Sequence, residues 1–77
     1  MTVRLYAAAR AAAGEREYVV EPGRLDEILN AIAQNNPRLM QVFEQCSFLI
    51  DGVVSHDKGL QINARSTVDV LPPFAGG

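Results

Sequence analysis

The sequence contains one cysteine, Cys46, so no disulfide can form within the chain. One histidine, His56, stands beside it in the inventory, and two such residues cannot make a structural zinc set of the usual kind. A 77-residue domain without staples rests on its packing, and a core of that size buries only about 60% of the surface its unfolded chain exposes. A lone thiol suits a reducing compartment. Positive charge is also short: seven Lys and Arg face nine Asp and Glu, for a net charge of -2. The basic residues are scattered among acids, whereas nucleic-acid modules gather them on one face. No apolar run approaches the ~20 residues a membrane helix requires. The stretch Leu5-Tyr6-Ala7-Ala8-Ala9 is cut by Arg10, short of the ~7–15 residues of a signal segment. The expectation is therefore no nucleic acid, no membrane, and a cytoplasmic location. There is no internal repeat or low-complexity linker, and the length accommodates one domain, 1–77, without room for an enzyme cleft and lid of its own.

What is present reads as alternating short elements. Val3 and Leu5 alternate with Arg4 and Tyr6, which predicts a first strand over residues 2–6. The Ala-rich segment 7–13, closed by Gly14, predicts a short helical connector with a left-handed glycine cap. Alanine buries little area, so this segment is not expected in the core. Residues 16–21 predict a second strand, ended by Pro22-Gly23. Leu25, Ile28, Leu29, Ile32 and Ala33 form one apolar stripe at helical spacing, with Asp26 and Glu27 in the first turn, and predict the main helix over about 25–35. Asn36 then caps a second short helix with Pro37 at its first position, and Leu39, Met40 and Phe43 supply its apolar side. Phe48-Leu49-Ile50-Asp51-Gly52-Val53-Val54 is a hairpin signal. Residues 55–66 read as a polar surface loop, and Thr67–Leu71 as the last strand. Strands around one main helix imply an α+β domain: a mixed four- to five-stranded sheet packed on that helix, with short extra helices.

The end of the sequence carries the chemistry. After Leu71 it reads Pro72-Pro73-Phe74-Ala75-Gly76-Gly77. The prolines stop the sheet pairing and favour an extended exit, making 72–77 an extended tail. Phe74 is one large apolar group, while Ala75, Gly76 and Gly77 leave nearly bare backbone that can thread a narrow tunnel. The reacting group is then expected to be the carboxylate of Gly77, an acyl donor only after activation, for example as a mixed anhydride with AMP. Glycines are common at frayed ends, so Gly-Gly alone is weak evidence. The ordered run of strand, diproline, aromatic and Gly-Gly is the stronger signal.

On these residues the chain resembles the MoaD/ThiS family of ubiquitin-like sulfur carriers over nearly its whole length. Leu25-Asp26-Glu27-Ile28-Leu29 stands at the family's central helix and Phe48-Leu49-Ile50-Asp51-Gly52 at its middle hairpin. Val68-Asp69-Val70-Leu71-Pro72-Pro73-Phe74-Ala75-Gly76-Gly77 is similar to the family's C-terminal signature. The diproline leans toward the molybdopterin synthase small subunit and away from the thiamine branch. The resemblance implies a β-grasp fold and a sulfur cycle. An E1-like adenylyltransferase of the MoeB type, using ATP and Mg²⁺, would adenylate Gly77. A cysteine desulfurase or rhodanese would supply sulfur for the thiocarboxylate. The tail would then enter a MoaE-type large subunit, where sulfur passes to cyclic pyranopterin monophosphate. By itself the chain would bind no cofactor and no metal, and would not be catalytic alone. Gly77 and Gly76 match the family positions directly. Phe74, Ala75, Pro73 and Pro72 are the expected partner contacts. Routes to thiamine, cysteine or another thio-metabolite, and a ubiquitin-like conjugating or binding role, remain the alternatives.

Other residues carry weaker signals. Cys46 could hold a persulfide, but no basic cluster adjoins it in sequence and free cysteines are commonly buried, so a structural role is expected. His56 has no partner at a telling spacing and reads as solvated. Asp57, Lys58 and Arg65 read as a solvated loop ahead of a docking rim.

Overall fold

The computed structural model describes residues 1–73. Strand alternation decides what is buried. In β1 (Thr2–Leu5) and β7 (Thr67–Leu71), Val3, Leu5, Val68 and Val70 point into one face and are at most 2% exposed. The two strands pair in parallel, with Val3 opposite Val68 and Leu5 opposite Val70. Burying each such aliphatic side chain stabilises the fold by about 1.5–3 kcal/mol. Around this central pair, β2 (Glu17–Val19) adds to β1, β4 (Ser47–Ile50) adds to β7, and β5 (Val53–Ser55) pairs with β4, all antiparallel. The sheet is mixed and five-stranded, in the order β2-β1-β7-β4-β5.

The helices cover the inner face. Leu25, Ile28 and Leu29 of α2 (Leu25–Ile32) are buried, and Ala33 just beyond it joins the same core, while Ile32 is half-buried. Asp26 and Glu27 sit in the first turn as expected. In α3 (Pro37–Gln45), the Asn36 side chain accepts from Leu39 N at 3.1 Å, and Leu39 and Phe43 close one end of the core. The β4–β5 turn has positive φ at both central residues, Asp51 (50°) and Gly52 (84°), as a two-residue hairpin needs. Asp51 also receives Thr67 N on its carboxylate at 2.9 Å and returns its own N–H to Thr67 O at 2.9 Å, which ties the hairpin to the start of β7. The expected α+β, β-grasp arrangement is the one observed.

Several boundaries and roles differ from expectation. The main helix ends at Ile32, not near 35, because Asn35 takes a left-handed conformation (φ 62°) and Pro37 bars a helical residue before it. The first strand stops at Leu5, since Ala7 (φ 50°) turns the chain away. The second strand is Glu17–Val19, shorter than 16–21. The Ala-rich segment is a full helix, α1 (Ala7–Ala13), ended by left-handed Gly14 (φ 78°). It is not merely a connector: Ala9 is fully buried and α1 packs against α3, because a side chain of one methyl permits close approach. The 55–66 stretch is not all loop. Gln61–Ile62 (β6) pairs with Gly23–Arg24 (β3) in a second, two-stranded sheet, and Ile62 is a core residue.

Candidate functional site: the root of the tail

The parallel β1–β7 pair fixes where the chain leaves the sheet. Tyr6 N donates to Val70 O at 3.3 Å, and Ser47 lies opposite Leu71, so β7 is flanked on both sides up to its last residue. Pro72 and Pro73 then have no N–H to offer either neighbour. Pro72 is half-buried and Pro73 exposed, so the chain emerges from the middle of the sheet at one end of the molecule. Phe74, Ala75, Gly76 and Gly77 lie outside the described residues. Of the expected site residues the structure therefore places Pro72 and Pro73.

Those prolines form one wall of a cleft of about 440 Å³ whose other walls come from Ala8 of α1 and Arg38, Gln41, Val42 and Gln45 of α3. The α3 residues recur at the i, i+3, i+4, i+7 spacing that lines up one helix face. That stripe is legible in the sequence once α3 is recognised, but its position beside the tail depends on the α1–α3 packing. A second cleft of about 620 Å³ runs along α1 past Arg10, Gly14 and Arg16. Arginines thus stand on both flanks of α1.

Beside the exit, Arg4 donates to Asp69 through Nε at 2.6 Å and a terminal nitrogen at 3.1 Å, and Tyr6 Oη reaches the same carboxylate at 3.4 Å. The hydrogen bonds and charge of Asp69 raise the Arg4 pKa above its usual value. The pair spans 65 residues of sequence, and only the parallel register reveals it. On this outer sheet face the row continues from Glu17, Arg4 and Asp69 to Leu49 and Val54. Leu49 is half-buried and Val54 exposed, so the outer face is charged on the β2 side and apolar on the β5 side.

Cys46 follows α3, and its thiol donates to Val42 O at 3.1 Å. Burial pushes the thiol pKa up, and the Lys58 ammonium offsets this only in part. A thiol held protonated is a poor nucleophile. Lys58 itself lies 5.8 Å above the Phe48 ring. The loop around it is held by one bond of its own, Asp57 Oδ1 accepting from Gly59 N at 2.9 Å, and by one to α2, Lys58 O accepting from Asp26 N at 2.8 Å. His56, Asp57, Lys58 and Arg65 are exposed. Among the described residues, no helix is long and apolar enough to cross a membrane.

Comparison with known proteins places this geometry. The chain is similar to the small archaeal modifier protein 1 of Methanosarcina acetivorans, at 25% identity and a TM-score of 0.80 over 99% of this chain and 94% of that one. The crystal structure of SAMP1 from Haloferax volcanii superposes with a TM-score of 0.78 at 23% identity, over 99% and 97%. A structure of the complex of subunits 1 and 2 of the molybdopterin-converting factor of Helicobacter pylori 26695 contains a chain with a TM-score of 0.71 at 20% identity, over 99% and 96%. No curated protein matches the sequence. The ThiS family profile matches residues 3–77, a span that takes in both glycines of the tail. The chain belongs to the ThiS family, a family of ubiquitin-like sulfur carriers.

Proposed function

We propose that the carboxyl group of Gly77 carries the sulfur. The carboxylate attacks the α-phosphorus of ATP on an E1-like, MoeB-type adenylyltransferase, and pyrophosphate leaves. A persulfide sulfur from a cysteine desulfurase or rhodanese then attacks the acyl carbon, the C–O bond to AMP breaks, and AMP departs. Two-electron reduction of the resulting acyl disulfide by a thiol releases the thiocarboxylate. ATP and Mg²⁺ belong to the activating partner. The observation that carries the reading is the family match running through Gly77 on a fold whose central strand ends in a diproline at one end of the molecule.

The acceptor favoured by the diproline is cyclic pyranopterin monophosphate, with this chain as the small subunit of a molybdopterin synthase and a MoaE-type large subunit receiving the tail. The likeness to subunit 1 of a molybdopterin-converting factor, solved together with subunit 2, supports it. The likeness to two archaeal modifier proteins favours a second reading, in which the activated carboxyl is joined to a lysine of another protein. Sulfur transfer to thiamine, cysteine or another thio-metabolite would use the same tail. In a reconstituted transfer assay, deleting Gly77 or adding one residue after it should abolish sulfur delivery while leaving the melting temperature unchanged. Full activity with an extended tail would exclude the mechanism.

A further inference from the structure

An activated acyl group is a hazard to the protein that bears it. Any amine or thiolate within reach can attack the carbonyl carbon, form the C–N or C–S bond and expel AMP, leaving a looped product that is a dead end when the new bond is an amide. Four residues, fully extended, span at most about 13 Å. The chain's nucleophiles are distributed in a way that bears on this.

Six of the seven basic residues are arginine; Lys58 is the only lysine in the sequence. Lysine is among the commonest residues in soluble proteins, so the skew is large. A guanidinium stays protonated at any working pH and is no nucleophile, while an ε-amine exchanges its proton and attacks acyl carbon readily. The basic residue in the wall of the tail cleft is an arginine. Arg38 shares the cleft with Pro72 and Pro73, while Arg10 lines a separate cleft along α1 and Arg4 is clamped to Asp69.

The stronger nucleophiles are held elsewhere or blunted. The amino group of Met1 donates to Val20 O at 2.9 Å, and the parallel β1–β7 register sets it at the end of the sheet opposite the exit. Cys46 adjoins Ser47, which lies opposite Leu71, so its thiol is near the exit, but it is half-buried and bonded to Val42 O at 3.1 Å. The Lys58 ammonium sits over the Phe48 ring, and its turn forms no wall of the tail cleft.

We propose that Arg38, at the tail root, stands in place of a lysine and thereby keeps the activated Gly77 from acylating its own domain, so that the acyl group survives for a partner. The proposal rests on the reading that Gly77 is activated. Its test does not, because the acyl group can be activated chemically. The full chain is made as a Gly77 thioester by thiol cleavage of an intein fusion, then held at mildly alkaline pH. Mass spectrometry distinguishes the hydrolysed acid from the cyclised amide, which is lighter by one water. Native protein and an R24K control, whose residue lines no part of the tail cleft, should hydrolyse with little cyclisation. R38K should cyclise about tenfold or more faster, as expected for an amine tethered near its target, with the new bond mapping to residue 38. Native protein that cyclises as fast as R38K would overturn the proposal. So would R24K matching R38K, or R38K staying linear while added hydroxylamine consumes its thioester.

Discussion

Asp51 shows how much one side chain can organise. It adopts the positive φ the hairpin turn requires and binds the first residue of the tail-bearing strand through both its carboxylate and its N–H. The Thr67 N–H, then the Ser66 hydroxyl, hold its carboxyl below the usual range. Asp26 is likewise lowered, chiefly by its hydrogen bond from Arg24. A depressed folded pKa gives stability that is complete above the unfolded value of about 3.9 and disappears as pH falls through the folded value. Thermal melts of Asp51→Asn should therefore lie below those of the native chain at neutral pH and converge with them in strong acid. A constant gap at every pH would assign the effect to shape and not to charge. Cys46 runs the other way. Its raised pKa favours the neutral thiol in the folded state, so that contribution is present below the unfolded value of about 8.5 and lost as pH rises through the folded one. Alkylation by iodoacetamide, followed against pH, should show a higher midpoint for folded than for urea-unfolded protein. Equal midpoints would mean the thiol is solvated.

Among the elements, α1 and α3 form the least obvious junction and the one closest to the tail. Asn36 caps α3 with its side-chain oxygen and, through its side-chain nitrogen, donates to Ala12 O at 3.0 Å, so one residue both starts α3 and fastens α1. Asn36→Ala should cost about 1 kcal/mol for the cap alone, measured by urea unfolding. Ala9 is fully buried against this junction. Ala9→Leu should cost about 1–3 kcal/mol by overpacking, and a stabilised variant would show that α1 has room to move. The strands β1, β4, β5 and β7, the stripe of α2 and the caps at Gly14 and Asn36 were all readable, because each is set by local spacing or by a turn residue. Three features were not. The pairing of Gly23–Arg24 with Gln61–Ile62 involves strands too short to show a period. The burial of Ala9 depends on which helix lies against it. The Arg4–Asp69 pair needs the parallel register. Much the same holds for the site: the tail announces itself in sequence, while its flanking cleft is a product of packing.

At the scale of the whole molecule, the fold presents one end of a central strand to solvent. The buried core of the described residues lies on the inner face of the sheet, beneath the helices. Phe74 is the single bulky group between the diproline and the glycines. If it anchors a partner, Phe74→Ala should weaken binding to the receiving subunit by about 1–3 kcal/mol in a titration, with the melting temperature unchanged. Unaltered affinity would remove it from the interface. On the proposed function, Arg38 at the root and the side-chain-poor tail serve one end: an acyl group passed intact to another molecule. The most direct test is intact-mass and C-terminal peptide analysis of the protein isolated from its native cells during active growth. The account predicts a population in which one oxygen of the Gly77 carboxyl is replaced by sulfur. A terminus found only as the unmodified acid, or only linked to lysines of other proteins, would contradict it.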